Sequence, residues 1–245
     1  MSERTKIALI YGVVALLSAG VIGTAVYLRS RLPKPEAGGE IVAAGRADPG
    51  AWFDIASDLE ATNQAGERVK LSNLRGKAWV VAEFFAVCPK CAVRNGSDLR
   101  EIYDEFKGDP GFHMVCITVD PEADTVEKIG EYASALGADV SNWWFLTGER
   151  GQLHRYLTNE LKFLDIRERS DPDEIEQLGR YVHDMGLMVV DRDWRVIGKR
   201  DLAWAREEGG AGTYDEWKQD LKQRIRGALA AEPEVRPAEK ATTGP

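Results

Sequence analysis

A pair of cysteines, Cys88 and Cys91, follows directly on a long apolar stretch, residues 78–85. Nearly continuous apolar residues over this length predict a parallel β-strand that is buried on both faces. Open α/β sheets place their sites at the carboxyl ends of such strands. The sequence therefore predicts an α/β fold that carries two thiols at one edge of its sheet.

A helix is predicted to follow Cys91, because apolar residues recur at helical spacing from Leu99 to Phe106. The thiols would then lie at the N-terminus of this helix, where the helix dipole favours the thiolate form. Two thiolates at this spacing can close a disulfide, or they can bind one soft metal ion. The motif alone leaves thiol chemistry and metal chemistry open.

Three other interpretations of the pair are a chance spacing, a structural disulfide and half of a zinc knuckle. Structural zinc takes four ligands, commonly from two such pairs, and the chain has only three cysteines and three histidines. A structural zinc site is therefore disfavoured. The third cysteine, Cys116, lies in a second strand-like run, residues 112–119, and is predicted to be an inert core thiol.

An uncharged apolar stretch near the N-terminus, residues 7–28, is as long as the roughly 20 residues that cross a bilayer. It exceeds the apolar region of a signal peptide, so an uncleaved transmembrane helix is predicted. Positive charges flank this stretch on both sides, so the charge distribution gives no decisive bias for its orientation in the membrane. The simplest topology has an inside N-terminus and an exported, periplasmic-side domain, in a compartment that tolerates disulfides.

Changes in composition along the chain predict four segments. We predict a tail and anchor over residues 1–28, a flexible linker rich in Pro and Gly over residues 29–50, a folded domain over residues 51–230 and a disordered tail over residues 231–245. The chain has 245 residues, 44% of them hydrophobic, enough for one sizeable core. Its net charge of -8 argues against a nucleic-acid partner.

The order of predicted elements within the domain is typical of a thioredoxin-like fold. A hairpin and a short helical turn precede the core strand and the dithiol helix, and a second strand, a second helix and a short aromatic strand at residues 143–146 follow. Residues 162–180 are rich in charge and are predicted to form a solvated loop or insertion. Two strands joined by a tight connection near Trp194 and a final helix complete a central mixed sheet flanked by helices.

Four segments carry a resemblance to a known family. They are LRGK at residues 74–77, the Phe pair at residues 84–85, ITVDPEADT at residues 117–125 and VHDM at residues 182–185. With these segments the chain resembles the Sco/SenC family of membrane-anchored, thioredoxin-like proteins that deliver copper to cytochrome c oxidase. The resemblance spans roughly residues 52–226, and the VDPEADT string is its most specific part.

The resemblance implies a metal site made of Cys88, Cys91 and His183. In the family the cysteines form a CxxxCP motif, whereas this chain has a two-residue spacing and Ala92 in place of the proline. The Asp184 carboxylate is predicted to accept a hydrogen bond from the second ring nitrogen of His183. The other two histidines, at positions 113 and 154, are predicted to have no functional role.

Two functional hypotheses follow. The first is a copper-binding assembly factor that takes Cu(I) or Cu(II) and serves subunit II of cytochrome c oxidase or another copper-site protein. The second is a thiol-disulfide oxidoreductase, in which Cys88 attacks and Cys91 resolves, acting on other thiol-disulfide proteins without tight metal binding. Whether the protein is an enzyme stays open at this point, as does a third role as a redox sensor.

Overall fold

The computed structural model describes Ser18, Gly20, residues 52–86 and residues 91–232, and it describes residues 91–94 by their backbone alone. The chain divides into two units, Met1–Ala47 and Asp48–Pro245, and the elements below belong to the second. In chain order they are β1 (Phe53–Asp54), β2 (Glu60–Thr62), β3 (Arg68–Lys70), a 3₁₀ turn (Leu71–Leu74), β4 (Ala78–Phe84), α1 (Cys91–Phe106), β5 (Phe112–Thr118), α2 (Val126–Leu136), β6 (Trp143–Leu146), α3 (Arg150–Arg155), a π turn (Tyr156–Glu160), β7 (Arg167–Glu168), α4 (Pro172–Leu178), β8 (Tyr181–Val182), β9 (Leu187–Val190), β10 (Arg195–Arg200), α5 (Leu202–Glu207) and α6 (Thr213–Ala230).

A six-stranded mixed sheet forms the centre of this unit, in the order β1-β10-β9-β4-β5-β6. Strands β4, β5 and β6 run parallel to one another. Strand β9 pairs antiparallel with β4, and β10 pairs antiparallel with β9. The predicted hairpin near Trp194 is therefore confirmed, and so is the predicted hairpin before the core strand, which is formed by β2 and β3.

The sheet is covered on both faces, which explains why its central strands are apolar along their whole length. Every residue of β4 and β5 is buried. Because successive strand residues point to opposite faces, Trp79 and Val81 pack into one core, and Val80 and Ala82 pack into another. The first core also takes buried residues from the 3₁₀ turn, α3 and the π turn, and the second takes them from α1, α2 and α6.

Helix periodicity predicts the buried faces well. The predicted face of α1 is buried throughout, at Leu99, Ile102, Tyr103 and Phe106. In α2 helical spacing predicts a buried face of Val126, Ile129, Tyr132, Ala133 and Leu136. Ile129 and Ala133 are buried, whereas Val126 is 36% exposed. Val126 is the first helical residue after the N-cap Thr125, so it lies at the end of the helix and contacts little of the core.

The prediction for residues 162–180 holds only in part. Most of these residues are exposed, as predicted for a solvated insertion, but they are not a loop throughout, because β7 pairs with β8 and α4 lies between them. Helix α4 has only seven residues and buries none of them, so its apolar pattern is weak, and its clearest signal is Asp171, which caps the helix by accepting from the Asp173 and Glu174 amides. His154 lies on α3, where its side chain is half-buried and its Nε2 lies 2.7 Å from the Val119 carbonyl oxygen.

The predicted segments at the two ends of the chain lie almost wholly outside the described residues. Of the anchor, residues 7–28, the structure describes Ser18 and Gly20, and of the linker, residues 29–50, it describes none. Of the tail, residues 231–245, it describes the first two residues. Within the described part of the chain, no helix has the length and apolar character needed to cross a membrane.

Candidate metal centre

The register of β4 and β9 brings the segment before β9 to the carboxyl end of β4. Ala82 lies opposite Leu187 in this antiparallel pair. Residues 183–186 come immediately before Leu187, so they run past the end of β4. The chain that leaves β4 leads into the dithiol segment. His183 thus lies at the sheet edge where β4 ends and where, about 90 residues earlier in the sequence, the chain enters the segment that carries the two cysteines.

Of the two residues predicted to supply thiols, one begins helix α1. Cys88 lies outside the described residues, and Cys91 is the first residue of the 16-residue helix α1. The backbone of Cys91 is therefore at a helix N-terminus, where the dipole favours a thiolate. Among the side chains that the structure describes, no group of three His, Cys, Asp or Glu residues is arranged to hold a metal ion.

The imidazole of His183 is held by its surroundings, and its side chain is 5% exposed. Its Nδ1 lies 2.8 Å from the Asp184 carbonyl oxygen and 3.6 Å from Glu83 Oε2. A carbonyl oxygen only accepts hydrogen bonds, so Nδ1 carries the proton in this contact and Nε2 has the lone pair. This tautomer is the one that suits a metal ligand whose other nitrogen is fixed by a hydrogen bond.

Asp184 contacts His183 through its main chain, whereas the sequence prediction gave this role to its carboxylate. The carboxylate accepts from Lys199 Nζ at 2.5 Å and from the Leu164 and Gly186 amides at 3.2 and 2.8 Å. A Cβ atom on Gly186 would lie 2.9 Å from Asp184 Oδ1, so this turn fits a residue without a side chain. The Asp184 carboxylate thus shapes the turn that presents His183.

Two buried polar residues at this edge were missed by the sequence analysis. Glu83 is 3% exposed, and its Oε2 accepts from the Asp184 amide at 2.7 Å. Burial raises the pKa of the Glu83 carboxyl, and the neighbouring His183 opposes this effect. Asn95, on α1, is 5% exposed and donates from Nδ2 to the Met185 carbonyl oxygen at 3.0 Å. A single Glu within an otherwise apolar strand is the signal that could have found the first of them.

The end of β4 is fixed by a buried carboxylate from the ITVDPEADT segment. Asp124 is fully buried and accepts from the Ala86 amide at 3.2 Å and from the Thr118 hydroxyl at 2.5 Å. Burial raises the pKa of Asp124 to about 6, against the lowering effect of these hydrogen bonds. Ala86 is two residues before Cys88, so Asp124 holds the start of the dithiol segment.

The model of the SCO1/SenC family matches residues 48–208 of this chain. The chain belongs to the SCO1/SenC family. This confirms the resemblance that the four sequence segments carried. A SCO1 protein homolog from Bacillus subtilis (strain 168) is 21% identical over 137 residues, which are 55% of this chain and 67% of that protein.

Two solved structures of Sco proteins have the same fold as this SCO1/SenC chain. BsSco, described as a member of the Sco family of cytochrome c oxidase assembly proteins and as having a disulfide switch, matches with a TM-score of 0.53 at 18% identity, over 75% of this chain and 98% of its own. ScoI from Bradyrhizobium japonicum, solved with copper bound, matches with a TM-score of 0.53 at 22% identity, over 69% of this chain and 98% of its own. The predicted α/β fold, a central mixed sheet flanked by helices, is confirmed as the thioredoxin-like fold of Sco proteins.

Proposed function

We propose that this SCO1/SenC protein binds copper through Cys88, Cys91 and His183 and delivers it to a copper centre of cytochrome c oxidase. The observation that carries the proposal is the register of β4 and β9, because it brings the His183 segment to the sheet edge from which the dithiol segment leaves. The Sco relatives support it too, since one was solved with copper bound and another is a cytochrome c oxidase assembly protein.

The proposed donor set suits copper chemically. Two thiolates favour Cu(I), and an imidazole nitrogen allows the site to hold Cu(II) as well. The thiols must be reduced before the metal binds, because a Cys88–Cys91 disulfide has no thiolate to offer. The redox state of the pair would therefore control copper loading, and release to a partner requires only exchange of ligands.

The proposed place of action is the periplasmic side of a membrane. A span over residues 7–28 would anchor the domain beside membrane-bound oxidase subunits. Subunit II of cytochrome c oxidase, or another protein with a copper site, is the proposed recipient. The compartment would allow the dithiol to cycle between its reduced and oxidised forms.

A Cu(I) competition titration of the reduced full chain in detergent micelles tests the ligand set. The wild-type protein should bind one tight equivalent, and Cys88→Ala, Cys91→Ala and His183→Ala should each lose it. Cys116→Ala is the matched control, because it removes a thiol that is buried in the core and is not a proposed ligand, and it should leave binding unchanged. Tight binding that is insensitive to His183→Ala would overturn the proposed ligand set.

A second candidate function is thiol-disulfide exchange, which the CxxC spacing at the start of α1 supports. The Cys88 thiolate would attack a substrate disulfide, form a mixed disulfide and release one substrate thiolate. Cys91 would then attack the mixed disulfide and release the second, so that two electrons pass to the substrate and a Cys88–Cys91 disulfide remains. His183→Ala should leave reduction of an insulin disulfide largely intact under this function, while Cys88→Ala should abolish it.

A further inference from the structure

Glu83 is a buried carboxylate that the fold alone does not explain. Its side chain is fully buried, and burial of a carboxylate is costly unless its oxygens are paired. One oxygen, Oε2, accepts from the Asp184 amide. The other, Oε1, has no hydrogen-bond partner among the residues that the structure describes. A half-paired buried carboxylate calls for a specific explanation.

The position of Glu83 next to the His183 segment explains why a carboxylate is buried there. Glu83 lies on β4, five residues before Cys88, and the amide that it holds belongs to the residue after His183. The same Oε2 faces His183 Nδ1 at 3.6 Å, which is too long for a hydrogen bond and close enough for an electrostatic effect on the ring. The Lys199 ammonium is paired with Asp184.

A second buried hydrogen bond to the residues after His183, here called a tie like that from Glu83, comes from the helix that follows the dithiol segment. Asn95, one helical turn after Cys91, donates to the Met185 carbonyl oxygen, and its Oδ1 has no hydrogen-bond partner within the described part of the chain. The strand before the dithiol and the helix after it thus each hold one of the two residues that follow His183. Only the tie from Glu83 also places a carboxylate beside the imidazole.

We propose that Glu83 is a positioning residue for His183: it holds the His183 loop against β4 and, through its carboxylate, strengthens the imidazole as a ligand for oxidised copper. The inference rests on the proposed copper function. A carboxylate 3.6 Å from the outer nitrogen of a ligating histidine favours positive charge on the ring and so raises the basicity of the ligating nitrogen. Loss of a partner that is hydrogen-bonded to the ring typically costs 10- to 100-fold in metal affinity, so loss of this unbonded charge should cost an amount near the lower end of that range. A harder Cu(II) ion depends more on this nitrogen than Cu(I) does, because Cu(I) is held mainly by thiolates.

Two substitutions separate the tether from the carboxylate. Glu83→Gln keeps an oxygen that accepts the Asp184 amide but removes the carboxylate, whereas Glu83→Ala removes both. In the metal-free full chain in detergent micelles, amide hydrogen exchange at Asp184 should be slow in the wild type and in Glu83→Gln and at least tenfold faster in Glu83→Ala. Slow exchange in Glu83→Ala would overturn the tether.

The second readout is the ratio of Cu(II) to Cu(I) affinity, measured by competition with chelators. Glu83→Gln should lower this ratio about tenfold, which corresponds to a rise of about 59 mV in the copper potential. Asn95→Ala is the matched control, because it removes the other tie without removing a carboxylate and should change both affinities alike. An unchanged ratio in Glu83→Gln would overturn the role of the carboxylate. A wild-type chain that binds no copper would instead refute the proposed function, and the exchange measurement would still decide the tether.

Discussion

Lys199 Nζ lies 2.5 Å from Asp184 Oδ2, and both side chains are buried, next to the residue proposed to bind copper. The same carboxylate receives the Leu164 and Gly186 amides, so the pair joins β10 to the turn that precedes β9. The ion pair is therefore part of the frame that holds His183 and is placed to affect stability and metal binding together.

Lys199→Met should destabilise the domain strongly, because it leaves the Asp184 carboxylate buried without its cation. Breaking a buried pair in this way typically costs about 3–5 kcal/mol of unfolding free energy. The measurement is urea denaturation at pH 7. The exposed pair of Arg68 with Glu60 is the matched control, and Arg68→Met should cost less than about 1 kcal/mol. A cost for Lys199→Met as small as that of the control would contradict the prediction.

His113 should make the protein sensitive to acid. Burial, with a smaller effect of the Lys77 charge, lowers the pKa of His113 to about 3, and neither ring nitrogen has a hydrogen-bond partner within residues 52–86 and 91–232. The folded pKa is below the value of about 6.5 for an unfolded histidine, so the folded state loses stability as the pH falls below that value. The loss should approach about 1.4 kcal/mol per pH unit.

Replacement of His113 by Leu should remove this slope, because leucine fills a buried site without a proton to take up. Urea denaturation of both proteins at several pH values between 7 and 4 checks this prediction. The quantity compared is the difference in unfolding free energy between the variant and the wild type. His154→Gln is the control, since the half-buried His154 ring already has the Val119 carbonyl as a partner. The prediction fails if His113→Leu and the wild type lose stability in parallel.

Asp124 should change the stability with pH in the opposite direction to His113, over an overlapping pH range. Burial raises its pKa to about 6, above the value of about 3.9 for an unfolded aspartate. The folded state therefore binds the proton more tightly, and this contribution to stability is present below about pH 4 and is lost as the pH rises through about 6. Its full size is at most about 3 kcal/mol.

Asp124→Asn should show no such loss, so its unfolding free energy relative to the wild type should rise between pH 4 and pH 6. The same denaturation series measures it. Asp104→Asn is a suitable control, because Asp104 is an exposed carboxylate in surface ion pairs with Arg100 and Lys107. A constant difference between Asp124→Asn and the wild type across this range would show that Asp124 does not titrate there.

Cys116 should stay unreactive in the folded protein. It is fully buried, burial raises the pKa of its thiol to about 12, and Trp143 Nε1 donates to its sulfur at 3.4 Å. A thiol that is neither exposed nor ionised does not react with alkylating reagents. Mass spectrometry of the reduced native chain after iodoacetamide treatment should find label on Cys88 and Cys91 only, and label on Cys116 only after denaturation. Rapid native labelling of Cys116 would contradict its place in the core.

Local pattern was enough for most of the fold. The apolar length of β4 and β5 predicts strands covered on both faces, and the helical spacing in α1 and α2 predicts the buried faces of both helices. Local pattern failed at α4, a seven-residue helix that buries no residue, and at Val126, the first residue of α2, which is 36% exposed. Neither exception changes the order of the strands.

The sequence by itself determined the class of the fold, the family, the helical start at Cys91 and the candidate ligands, because each of these depends on neighbouring residues or on a motif. Only the tertiary structure decided how His183 is held. The register of β4 against β9 places Glu83 beside a histidine 100 positions away, and the same turn sends the Asp184 carboxylate to Lys199 while its carbonyl faces the ring. Such contacts arise from strand pairing between distant segments, and no local pattern encodes them.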